Sequence, residues 1–155
     1  MTVITRPVQR TKIDPRGPRF GAVLTSVVLA AVLLTIPSGL ATVLLGWQVV
    51  VFALGAFVGL WAQPYGIAYR RFVRPRLASP RELEDAAAPR FAQSVGLVFA
   101  AVGLLGLLAG IPDLAYTAVG LALAAAFLNA AFDYCLGCEM YLLAARTLDR
   151  RSATY

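Results

Sequence analysis

FGAVLTSVVLAAVLLTIPSGLATVLLGWQVVVFALGAFVGLWA, residues 20–62, holds 43 consecutive positions without a charged side chain. Its one turn signal is Pro37-Ser38-Gly39, which divides it into Phe20–Ile36 and Leu40–Ala62. The first piece has 17 residues, at the short limit for a helix crossing about 30 Å of hydrocarbon. Trp47 and Trp61 stand near the two ends of the second piece, at a separation that suits the two interfacial aromatic belts. Gly55-x-x-x-Gly59 offers a close helix approach. Read this way, the stretch is a membrane hairpin, and the remainder of the chain repeats the pattern.

Working outward, Phe91–Gly110 and Leu114–Phe132 form a second pair of apolar spans around Ile111-Pro112-Asp113, with Gly96, Gly103, Gly106 and Gly110 as small contact residues. The chain is 59% hydrophobic, well above the roughly 45–50% of soluble domains. Its 14 Lys and Arg outnumber its 8 Asp and Glu, but they lie in three islands, before residue 20, between 70 and 90, and after 145. Islands of charge between apolar spans are a membrane pattern, and no aromatic platform is interleaved with the arginines, so nucleic acid is not the partner. The lipid bilayer is. Neither hairpin turn carries Lys or Arg, so the positive-inside rule puts the islands and both termini on the cytoplasmic side.

The expected fold is an all-α polytopic membrane four-helix bundle. It comprises a basic, Pro-rich N-terminal segment over 1–19, a membrane domain over 20–148 and a cytoplasmic tail over 149–155. The N-terminal segment is too polar, and the first apolar run too far in, for a secretory signal peptide. Interfacial amphipathic helices are expected over about 66–77, which contains Arg70, Arg71, Arg74 and Arg76, and over about 137–148. The halves repeat: Asp14-x-x-x-Pro18-Arg19-Phe20 returns as Asp85-x-x-x-Pro89-Arg90-Phe91, an offset of 71. At the same offset Ala30, Leu33 and Leu34 meet Ala101, Leu104 and Leu105, and Pro64-Tyr65-Gly66 meets Cys135-Leu136-Gly137. Two spans per repeat return the chain to one side, so the repeats have parallel topology.

The chemistry is concentrated where the fourth span ends, at Asn129-Ala-Ala-Phe-Asp133-Tyr-Cys135-Leu-Gly-Cys138-Glu139-Met-Tyr141. The chain has no His, which excludes His-ligated haem and any Ser-His or Cys-His dyad; no other cofactor is indicated. Cys135-x-x-Cys138 suits a redox dithiol, half of a thiolate metal site, or simple packing. A helix starting near Gly137 would lower a cysteine pKa, whereas Asp133 and Glu139 would raise it. A metal site would need Asp133 and Glu139, or a second protomer's cysteines, as further ligands. Asn129 lies one turn before Asp133 and is placed to hydrogen-bond it. Arg19 and Arg90 are placed to pair with Asp133 or Asp85 beneath the bundle.

Asp14-Pro-Arg-Gly-Pro-Arg-Phe20, Pro64-Tyr-Gly66, Arg74-Pro-Arg76, Pro89-Arg-Phe-Ala-Gln93 and Cys135-Leu-Gly-Cys138-Glu139-Met-Tyr141 together resemble a family of small four-span bacterial membrane proteins known as a domain of unknown function. The resemblance implies an inner (plasma) membrane location and an association with thioredoxin-like and sulfurtransferase proteins. It favours thiol or persulfide chemistry at Cys135 and Cys138, supported by Asp133 and Glu139, with such a soluble partner on the cytoplasmic face. Two other readings stand beside it. One is a non-enzymatic scaffold or accessory subunit, including a homo-oligomer with a structural Cys pair. The other is a small transporter of an anionic sulfur compound.

Overall fold

The computed structural model describes residues 11–152. The first ten residues of the basic N-terminal segment and the last three of the C-terminal tail lie outside the described residues. Four helices are long and apolar enough to cross a membrane: α1 (Arg16–Thr35), α2 (Gly39–Ala53, carried on to Val58 by a π-helical turn), α4 (Ala87–Leu108) and α5 (Pro112–Phe132). Much of their apolar surface faces outward, as Val27, Leu34, Val43, Leu105 and Phe127 do, so the surrounding medium must be apolar. This is a helical membrane protein.

The helix ends follow from local chemistry. Asp14 accepts from the Arg16 backbone N–H at 3.0 Å and Asp85 from that of Ala87 at 2.9 Å, each satisfying an orphan donor of the helix that follows. Ser38 caps α2 by accepting from the Ala41 N–H at 3.3 Å. At the end of α4, Gly110 (φ +72°) takes the left-handed conformation. The Ile111 N–H then reaches the Gly106 carbonyl at 2.8 Å and the Gly110 N–H that of Leu107 at 3.2 Å, a Schellman closure. Pro112 begins α5, with Asp113 in its first turn.

The second span leaves helical geometry at Gly59 (φ +133°), short of the 62 expected from hydropathy. Gly59 is therefore a break and not part of a helix-packing face: a Cβ at Gly55 would meet the Gln93 side chain of α4, whereas one at Gly59 would meet Trp61 just beyond the break. The chain then turns back through α3 (Pro64–Ala68), a π-helical turn (Tyr69–Val73) and a 3-10 turn (Arg74–Arg76). Tyr65 and Tyr69 are buried, so this basic segment is pinned by its tyrosines.

In the bundle α1 packs on α2 and α5, and α4 on α2 and α5, closing a four-membered ring. Leu29, Val32, Leu45, Ala100, Ala115 and Val119 fill its centre. Small residues allow the approach: a Cβ at Gly103 would come within 3.0 Å of Val119, and one at Gly96 within 2.8 Å of the Phe52 ring. α6 (Leu136–Ser152) lies against α4. Strands β1 (Lys12–Ile13) and β2 (Glu84–Asp85) form a short antiparallel ladder in which Ile13 faces Glu84.

Candidate functional site

The end of α5 and the start of α6 are joined by a sharp corner. Asp133 adopts left-handed backbone (φ 56°, ψ 30°), and its N–H closes the helix on the Asn129 carbonyl at 3.1 Å. Three residues on, α6 begins. Cys135 precedes its first residue, and the Cys135 carbonyl accepts the Glu139 N–H at 3.0 Å, the first bond of the new helix. Cys135 is thus the N-cap. Its Sγ accepts from the Cys138 N–H at 3.2 Å, where a capping Ser or Asp would present oxygen.

Cys135 and Cys138 are joined as a disulfide, with Cα atoms 5.2 Å apart, and both residues are half-buried. The N-terminal end of a 17-residue helix carries partial positive charge, and Cys135 stands at that end. Gly137 fixes this corner to the bundle: a Cβ there would lie 2.6 Å from both Cα and Cβ of Ala92 on α4. The Phe91 and Tyr141 rings, with centroids 5.9 Å apart, brace the same contact.

The acidic neighbours are placed differently from expectation. The side chains of Asp133 and Glu139 are exposed. Among the described residues no three His, Cys, Asp or Glu come together, so these acids do not complete a metal site with the cysteines. The Asn129–Asp133 link runs through the backbone. Arg19 and Arg90 cap helix ends instead of pairing with acids: Arg19 Nε donates to the Ala130 carbonyl of α5 at 3.1 Å, and Arg90 Nη2 to those of Ala56 and Phe57 at 3.0 and 3.3 Å. Last-turn carbonyls carry the negative end of the helix dipole, so these positions suit guanidinium.

Behind Cys135 a cavity of about 280 Å³ extends into the bundle between all four spanning helices and α6. Thr25, Phe52, Gln93, Gly96 and Asn129 are among its lining residues, and no charged side chain is. A network of uncharged polar groups adjoins it. Gln48, fully buried in α2, donates to Thr25 Oγ1 at 3.3 Å and accepts from the Tyr65 hydroxyl at 3.0 Å; Trp47 Nε1 donates to that hydroxyl at 3.1 Å. Gln63 donates to Gln93 Oε1 at 2.8 Å and to the Val51 carbonyl at 3.5 Å. Sequence reasoning passed over Thr25, Gln48, Gln63 and Gln93. Their signal was an amide or hydroxyl inside or beside an apolar run, where an unpaired polar group is costly.

At the start of α1, Asp14 holds a bidentate contact with Arg16 and accepts from the Tyr69 hydroxyl at 2.9 Å. The Arg16 hydrogen bond holds the Asp14 carboxyl below its ordinary 3.8, against the opposing pull of burial.

No curated protein and no solved structure matches the chain. The sequence profile described as "Domain of unknown function (DUF4395)" matches residues 13–146, which take in all four spans and the cysteine corner, and the chain belongs to that family.

Proposed function

We propose that the protein is a membrane-embedded thiol–disulfide relay whose working group is the Cys135–Cys138 pair. The carrying observation is placement: the pair caps a helix, is braced on α4 through Gly137, and has one sulfur residue lining a cavity within the bundle. A packing pair needs neither the cap nor the cavity. Cys138 is the sulfur for a soluble dithiol of thioredoxin-like chemistry to attack. Cys135 then leaves, at the α6 N-terminus, whose partial positive charge suits a departing sulfur anion. A second attack by the partner's other thiol on the mixed disulfide leaves Cys135 and Cys138 as a dithiol and the partner oxidised. The distribution of arginines supports a cytoplasmic face for the exchange, and the closed disulfide favours a two-sulfur cycle over a single persulfide carrier.

The test is a redox titration of reconstituted protein, with thiol alkylation read by mass spectrometry. Cycling near roughly −200 to −300 mV, the range of cellular thiol couples, is the expected result. Cys135→Ser and Cys138→Ser should each abolish it while leaving the bundle folded. Thiols that stay inert across that range would favour the scaffold reading.

A further inference from the structure

A dithiol that has taken two electrons must pass them on, and the lining of the cavity behind Cys135 says to what. We infer that this cavity seats the ring of a lipid-soluble quinone, which reoxidises the Cys135–Cys138 dithiol; the inference rests on the relay reading above.

The bundle is enclosed by apolar helices, so an occupant arriving laterally must itself be lipid-soluble. The lining carries no charge, which suits a neutral ligand and disfavours anionic sulfur compounds. Its polar groups match a ring with two carbonyl oxygens. Gln93 uses Oε1 to accept from Gln63, which leaves its amide NH₂ as a donor, and Asn129 supplies a second amide. Phe52 and Phe99 offer aromatic faces.

Size agrees as well. Whole small-molecule sites run from about 300 to 1,000 Å³, so a cavity of about 280 Å³ takes a ring and leaves a long tail outside. Leu121 lines the cavity in the body of α5 and is itself 54% exposed, so the tail would leave beside it. Cys135 forms part of the wall.

The step balances without another reactant. Both S–H bonds of the dithiol break and the S–S bond forms. Two electrons and two protons pass to the quinone, whose carbonyl oxygens become hydroxyls.

The experiment uses the full chain in phosphatidylcholine nanodiscs and a decyl-tailed benzoquinone as probe. Titration calorimetry of the oxidised protein should give one saturable site. Binding should persist in the Cys135→Ser, Cys138→Ser double variant, since the cavity does not need the sulfurs. It should weaken by about tenfold in Asn129→Leu, the loss expected for one hydrogen bond. Ala125→Phe, which fills the cavity, should abolish it; circular dichroism and gel filtration establish that both variants fold. Pre-reduced protein should convert one quinone to quinol per pair, with loss of both alkylatable thiols. No saturable binding, in protein whose cysteines still cycle with a soluble dithiol, would overturn the quinone site and leave the relay standing. Equal competition by a decyl-tailed benzene without ring oxygens would overturn it too, making the cavity an acyl-chain slot. Quinone binding to protein whose cysteines never open would sink the relay, and the electron transfer with it.

Discussion

Positions 71 apart share a frame and differ in what fills it. Asp14 and Asp85 each accept the N–H two residues on, Arg19 and Arg90 each cap the carbonyl end of a span, and Phe20 and Phe91 each meet a tyrosine ring at 5.9 Å. Gly66 and Gly137 are both wedged: a Cβ would strike the Leu60 carbonyl oxygen at the first and Ala92 at the second. The interiors diverge. Thr25, Gln48 and Tyr65, a continuous polar network, stand where the second half has Gly96, Val119 and Leu136. Two of those three, Gly96 and Leu136, line the cavity. Pro64 stands where Cys135 does. One half is tied by this hydrogen-bonded network; the other carries the sulfurs, on the wall of a cavity that both halves line. That asymmetry is the strongest structural reason to look for function in the second half.

The comparison can be broken most forcefully at the glycines. Gly66→Val and Gly137→Val should each cost about 3 kcal/mol or more, because backbone or a short side chain blocks the new methyls. Unfolding in mixed detergent micelles measures this, and tolerance at one site alone would mean that the halves do not share the clamp. Next comes the interior. Gln48→Val makes position 48 the same as 119, and should cost about 2 kcal/mol by leaving Thr25 and Tyr65 short of a partner. If it stabilises instead, the network is not what holds the first half.

The arginine caps should weigh less. Arg19→Ala and Arg90→Ala are each expected to lower stability by about 1 kcal/mol, and to similar extents, in the same micelle assay. The smallest effect is a pH dependence that arises at Asp14. Asp14 titrates below its ordinary value in the fold, so its contribution is complete above about pH 4 and fades as pH falls through the lowered value. Asp14→Asn should remove that acid-side slope.

Much of the frame was legible in the chain itself. The charge-free runs mark four spans because hydrocarbon tolerates no unpaired charge, and Pro37-Ser38-Gly39 and Ile111-Pro112-Asp113 mark the hairpin turns because Pro and Gly punctuate helices. The cysteine corner could be located, since Asp133 ends the last apolar run. The return of Tyr65 into the bundle could not, because nothing local distinguishes a tyrosine that lies at the interface from one that reaches Gln48. Gly59 was read as a packing residue because GxxxG spacing says nothing of φ. The acids at 133 and 139 were set beside the cysteines by proximity in sequence, but the left-handed corner at Asp133 and the start of α6 leave both side chains exposed.

The Thr25–Gln48 bond joins α1 to α2 inside the first hairpin, whereas the Gln63–Gln93 bond joins the two halves. During biogenesis this sets an order. The first hairpin can leave the translocation machinery with Gln48 already satisfied by its own neighbours. The second enters lipid carrying Gln93 and finds the matching amide waiting on a hairpin already in place. Expression of the second half alone would leave Gln93 without its Gln63 partner.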